Sequence, residues 1–257
     1  MWLRYVAIGD STTEGLDDPD GAGGYRGWAD RLAERVATAQ GSLEYANLAV
    51  RGMTAARVRA TQLAPALALR PDLSTVVAGL NDAIHPSFDA DSTGADVEAM
   101  ITALTRTGTT VLTFTVPDPG SLMPLGRLLR PRMRALNVAL RRAARNGGGL
   151  LLDLASYPVA ADPRMWSEDR LHANTDGHIR IAAGLAYTLG LDGTDDTWSY
   201  PLPTAPRRGF GQSIAVEVAW LRRHFTPWVL RHLRGRSSGD GRVAKRPQPL
   251  PVMLTPH

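Results

Sequence analysis

The 257-residue chain is 44% hydrophobic and 21% charged, proportions of a water-soluble globular fold that exclude bulk disorder and fibrous repeats. It has no cysteine, which excludes disulfides, thiolate nucleophiles and Cys-ligated metals. The net charge of +4 is unevenly spread, because residues 197–257 hold ten Lys and Arg against two acids while the remainder holds 19 against 23. No segment approaches the ~18 consecutive apolar residues of a membrane span. The residues Met1 to Ile8 lack the basic leader, long apolar core and cleavage site of a secretion signal, so a cytoplasmic location is expected.

Short apolar, β-branched segments alternate with longer segments of helical period, the pattern of a parallel βαβ sheet. In chain order the reading is strand Leu3–Ile8, helix Trp28–Gln40, strand Glu44–Ala49, helix Thr54–Leu69, strand Ser74–Gly79 and helix Thr93–Thr107. Strand Thr110–Val116, helix Pro131–Asn146, strand Leu150–Leu154 and helix Thr175–Leu189 follow. Pro131 suits a first helical turn and Gly147 to Gly149 a C-terminal stop. These elements make a three-layer α/β/α domain over residues 1–192, with a five-stranded parallel sheet buried on both faces.

Beyond Asp192 the composition changes. Residues 193–234 read as a proline-containing linker (Pro201, Pro203, Pro206) and a basic amphipathic helical extension. Ile214, Val218, Leu221, Phe225, Trp228, Val229 and Leu233 recur at helical spacing there, and Arg222, Arg223, Arg231 and Arg234 take other faces. Pro227 is expected to start a second short helix. The Gly-, Ser- and Pro-rich stretch 235–257 reads as a disordered tail.

Three polar sites follow successive strands and therefore converge on one rim of the sheet, the carboxyl ends where open α/β sheets bind ligands. They are Gly9-Asp10-Ser11, the stretch Asn47 to Gly52, and Gly79-Leu80-Asn81-Asp82. A fourth, Asp169-Arg170-Leu171-His172, lies between the fifth strand and the last helix. A serine nucleophile needs a neighbouring base, and the base needs a carboxylate to fix its tautomer; Asp169 and His172 supply both from one turn. Asp10 and Asp82 read as hydrogen-bonding residues that shape their loops. His178 reads as packing against or capping the last helix, with the base role as its rival, and His85 as a solvent-loop residue. Glu14, Asp17, Asp18 and Asp20 do not match the spacing of a calcium loop and read as a solvated, mobile loop near the site. No convincing set of metal ligands is found.

Together these blocks resemble the SGNH hydrolases, the GDSL-type esterases and lipases, over roughly residues 4–190. The match rests on G-D-S at 9–11, N-L-A-x-x-G ending at Gly52, G-x-N-D at 79–82 and D-x-x-H at 169–172. The resemblance implies a flavodoxin-like fold and a cofactor-independent esterase. It implies that Ser11 attacks the carbonyl, His172 acts as general acid and base, and Asp169 orients it. The oxyanion donors it implies are the backbone N–H groups of Ser11 and Gly52 and the side-chain amide of Asn81. Thr12 stands where the family nickname has leucine, and Ala173 where a proline often follows the histidine.

The substrate expected is a small-molecule ester. Carboxylesterase, carbohydrate deacetylase, lysophospholipase and thioesterase share this mechanism, and the apolar segment Pro117 to Gly126 favours an acyl substrate. A different class of function is peripheral membrane contact through residues 212–234, whose apolar face carries Trp220, Phe225 and Trp228; the alternative is that this face packs on the hydrolase body. Nucleic acid is not expected, since no aromatic–basic binding module is present.

Overall fold

A computed structural model describes residues 1–122, 126–204, 220, 222–223 and 239–253. The elements in chain order are β1 (Arg4–Gly9), α1 (Ser11–Glu14), α2 (Gly27–Gln40), β2 (Glu44–Asn47), α3 (Ala55–Ala68), β3 (Leu73–Val77) and α4 (Leu80–Ile84). They continue as α5 (Ala90–Thr105), β4 (Thr110–Phe114), α6 (Gly126–Gly147), β5 (Leu150–Leu152), α7 (Thr175–Thr188) and β6 (Arg246–Pro251). Strands lie in the order β5-β4-β3-β1-β2-β6, the first five parallel, with Ala7 beside Asn47 and Ile8 beside Val76. This is a doubly wound sheet. Its crevice opens at the carboxyl ends of β1 and β3, where successive connections leave in opposite directions.

Both faces of the sheet are covered, which explains why β1 and β3 are almost wholly buried. On one face Trp28, Leu32 and Val36 of α2 pack with Leu185 of α7 against Tyr5, Tyr45 and Leu112. On the other, Val58 of α3, Met100, Ile101 and Leu104 of α5 and Leu136 of α6 pack against Val6, Ile8 and Val76.

Two details depart from the sequence reading, and a third lies mostly outside the described residues. The sheet has six strands, not five: β6 pairs antiparallel with the edge of β2 and comes from the stretch read as a disordered tail. The prolines at 247, 249 and 251 obscured it, yet at alternate positions they leave one edge of the strand without donors, which suits an outermost strand. Lys245 and Arg246 fasten it, through an ion pair to Asp30 (2.9 Å) and a guanidinium bond to the Tyr45 carbonyl (2.8 Å). Helix α6 starts at Gly126, so Pro131 lies inside it rather than in its first turn. The helix expected around 214–233 lies outside the described residues except for Trp220, Arg222 and Arg223, as do residues 235–238 and 254–257 of the tail. Among the described residues no helix is long and apolar enough to cross a membrane.

Candidate active site

Strand β1 ends at Gly9, whose φ of 158° and close packing exclude a side chain: a Cβ there would overlap Thr13 Oγ1 and the Val77 carbonyl. Both polar backbone groups of Gly9 are bracketed by the buried Gln62, which accepts from the Gly9 N–H and donates to its carbonyl, each at 2.8 Å. The chain then turns directly into α1, with Asp10 accepting from the Thr12 N–H at 3.0 Å as its N-cap. Ser11 therefore stands at the first position of a helix above the crevice.

The turn bearing Asp169 and His172 is closed by its own backbone. Ser167 N–H donates to the His172 carbonyl (2.9 Å) and Asn174 N–H to that of Met165 (3.0 Å). Gly177, in the first turn of α7, lets this turn approach, because a Cβ there would overlap the Met165 carbonyl. Trp166 and Ala173 form a bridge across the turn, so the position without proline is held by pairing instead.

Across the two elements, His172 Nε2 lies 2.9 Å from Ser11 Oγ, and His172 Nδ1 lies 2.6 Å from Asp169 Oδ2. The other Asp169 oxygen accepts from the Leu171 N–H (2.8 Å), the His172 N–H (3.0 Å) and the Ser167 hydroxyl (2.7 Å). A carboxylate so engaged fixes the tautomer that leaves Nε2 free to accept from the serine. Burial opposes the ionised form of Asp169, but its hydrogen bond and charge interaction with His172 outweigh it and hold the carboxyl far below its ordinary range. Burial likewise disfavours the imidazolium, yet Asp169, Asp17 and Asp10 together raise the His172 pKa above its ordinary value.

Only neutral His172 can accept the serine proton. Activity should accordingly climb as pH rises through a midpoint above the ordinary histidine value of about 6.5. Steady-state kcat/KM for ester hydrolysis between pH 4.5 and 9 checks this. Burial pushes the Asp10 carboxyl up to about 6, so a midpoint at or below that value would assign the acid limb to Asp10 and not to His172.

Asn81 is bonded to Asp10, the residue before Ser11, and the turn at Gly52 follows β2. The Asn81 amide donates to Asp10 Oδ2 and to the Met53 carbonyl, both at 3.0 Å, so both of its hydrogens are engaged. Gly52 occupies a left-handed turn with φ of 75°. That turn is tied to the nucleophile's helix by Arg51, whose N–H donates to Glu14 Oε2 at 2.9 Å and whose guanidinium pairs with the same carboxylate. Asn47 adds a second tie, donating to the Thr13 carbonyl at 2.9 Å.

Two acids of the loop after Ser11 are held in ion pairs and not solvated as its composition suggested, while residues 19–23 are exposed. Glu14 pairs with Arg51, Asp18 is 1% exposed and pairs with Arg31 at 2.8 Å, and Asp20 caps its own turn through Ala22 and Gly24. Asp17 points toward the site, 3.9 Å from His172 Nδ1. Among the described residues Asp17, Asp169 and His172 are the one group whose metal-capable atoms gather, within 4.8 Å; it consists of the acid–base pair and one further carboxylate.

His178 lies elsewhere. It is buried, accepts from the Trp28 N–H at 3.0 Å through Nδ1, and faces the Leu16 carbonyl at 2.9 Å through Nε2. It therefore caps α2 and not its own helix α7. Burial lowers its pKa to about 4, which keeps it neutral, and both nitrogens are occupied. His85 is exposed and bonded to Ser87. Asp82 accepts from the Ala55 N–H at 2.9 Å, at the start of α3.

A pocket reaches the turns of the candidate site, walled mainly by apolar groups, among them Phe114, Val116, Leu122, Met133, Ile181 and Trp198, with Arg170 and Arg180 also in its lining. Three of its lining residues, Thr12, Leu80 and Leu171, are the chain neighbours of Ser11, Asn81 and His172. Of the segment Pro117 to Gly126 expected to form its wall, Pro117, Pro119 and Leu122 line it, and 123–125 lie outside the described residues.

A profile of the GDSL-like Lipase/Acylhydrolase family matches residues 7–180, and the chain belongs to that family. None of the curated proteins searched matches it. Among solved structures it is similar to LAE5, an α/β hydrolase enzyme from the metagenome of Lake Arreo, Spain, with a TM-score of 0.62 and 20% identity over 74% of this chain and 95% of that one. It is also similar to a catalytic mutant of Axe2, an acetylxylan esterase from Geobacillus stearothermophilus, with a TM-score of 0.62 and 16% identity over 76% and 97%. For TesA the values are 0.61 and 20% over 73% and 98%. At these identities the likeness is one of fold. The family assignment makes the chain an ester-hydrolysing enzyme.

Proposed function

We propose that the chain is a serine esterase that forms an acyl-enzyme on Ser11 from carboxylic esters with an apolar acyl group. The observation that carries this reading is the Ser11–His172–Asp169 relay, whose chain neighbours Thr12, Leu171 and Arg170 line an apolar pocket. Ser11 Oγ attacks the carbonyl carbon as His172 Nε2 takes its proton, and Asp169 stabilises the resulting imidazolium. The negative charge that develops on the carbonyl oxygen is met by the N–H groups of Ser11 and Gly52 and the amide of Asn81. The tetrahedral intermediate then expels the alcohol, which leaves with the proton from His172. Water, deprotonated by His172, attacks the acyl-enzyme, and the second tetrahedral intermediate breaks the bond to Ser11 Oγ, releasing the carboxylic acid as His172 returns the proton to the serine. The cycle is complete with these residues and water.

The pocket supports the choice of acyl group. An acetyl group, as in sugar deacetylation, offers one methyl to this apolar lining, whereas the longer acyl chain of a lysophospholipid or thioester would remove more apolar surface from water. Hydrolysis of p-nitrophenyl esters from acetyl to palmitoyl tests this. We expect kcat/KM to rise by up to ~4-fold per added methylene until the pocket is full, from the free energy of burying each CH2. A phosphonate ester should modify Ser11, located by peptide mass spectrometry. A preference for acetyl, or an adduct elsewhere, would overturn the reading.

A further inference from the structure

Trp220 lies beyond the family match, which ends at residue 180, yet it reaches the turn that carries the acid and base. Its indole is 6% exposed and its Nε1–H donates to the Asp169 carbonyl at 3.1 Å. The guanidinium of Arg170 sits 5.0 Å from the centroid of the same ring, and Arg223 lies 3.9 Å from Glu168. Three consecutive residues of the turn, 168 to 170, are thus each met by the C-terminal segment.

The backbone there needs holding. Arg170 has φ of 61°, a left-handed conformation in a residue with a bulky side chain, and such conformations persist where the surroundings over-determine them. The peptide joining Asp169 to Arg170 is the unit that the indole N–H grips. Its orientation sets both the positive φ of Arg170 and the direction in which the Asp169 carboxylate leaves the backbone.

We infer that Trp220 is a positioning residue for the acid–base pair, acting through the Asp169–Arg170 peptide to hold Asp169 against His172. Trp220 is then part of the site's support. This rests on the reading of His172 as the base, so the test includes a measurement that does not need turnover.

Trp220→Phe keeps one aromatic ring and removes the donor with part of the bicyclic ring; Trp220→Ala removes the whole indole. Loss of a hydrogen bond worth ~1 kcal/mol corresponds to ~5-fold in rate if it is felt in the transition state. The expected result for Trp220→Phe is a several-fold fall in kcat with KM nearly unchanged, and a larger fall for Trp220→Ala. The acid limb of kcat/KM should move to lower pH, because a looser Asp169 supports the imidazolium less. The same shift should appear in the NMR titration of the His172 ring, whether or not a substrate has been found. The other groups around His172 are Asp17, Asp10 and the Ser11 hydroxyl, with the neutral His178 farther off and Glu168 and Arg170 on the turn itself. Trp220→Phe leaves them all in place, which assigns the shift to Asp169. A Trp220→Phe protein with wild-type kcat and wild-type His172 titration would overturn the inference, even if its melting temperature fell. A wild type inactive on every ester but with the titration shift in the variant would instead count against the esterase reading alone.

Discussion

Ser11→Ala should lower kcat for ester hydrolysis by ~10⁵-fold or more, since members of a serine–histidine–aspartate unit fail together when the nucleophile is lost. The hydroxyl's side-chain bond is to His172 Nε2 at 2.9 Å, and the cap of α1 is supplied by Asp10. Alanine at the first position of that helix keeps its backbone bonds, so the loss should be chemical and not structural. Some residual rate over water should persist from the oxyanion donors. Steady-state kinetics beside a thermal melt measures both. A variant that keeps a tenth of the wild-type kcat, at an unchanged melting temperature, would mean that the nucleophile is another group.

Asn81→Ala should cost ~10²- to 10³-fold in kcat with little change in KM, the loss typical of one oxyanion donor. Unlike Ser11, Asn81 also has a structural role, because its amide bridges Asp10 Oδ2 and the Met53 carbonyl. Removing it strips both acceptors of that donor, at about 1–3 kcal/mol of stability. The two effects separate with temperature: kinetics well below the melting transition report the oxyanion, and the shift of the transition reports the bridge. A fall in melting temperature with kcat intact would leave Asn81 as a brace between the turns of Ser11 and Met53.

The residues of the candidate site were legible because each sits where a strand ends. Gly9-Asp10-Ser11, Gly79-Leu80-Asn81 and the turn at Gly52 follow β1, β3 and β2, and a parallel sheet brings such ends together whatever the loops between them do. The Asp169–His172 pair was legible because three residues separate its members within one turn. What eluded sequence reasoning depends on partners distant in the chain. Glu14 looked solvated because its ion-pair partner is Arg51, and Asp18 because its partner is Arg31. Gln62 brackets Gly9 across 53 residues, and the only local sign of it is a polar residue on the buried face of α3. Strand β6 was hidden by its prolines, which argue against a central strand but not against an edge.

One bond gives the assembled site a local witness. The imidazole of His178 joins the loop after the nucleophile, at Leu16, to the second residue of α2, Trp28, across separations of 162 and 150 residues. Neither contact forms until the first and last parts of the hydrolase domain have come together, so this tie belongs to the slow, non-local part of folding. It also sits between the segment that presents Ser11 and the helix that follows His172. The Trp28 amide proton is sheltered only while those two segments are docked, so its exchange with solvent deuterium follows the opening and closing of the site itself, with no substrate present.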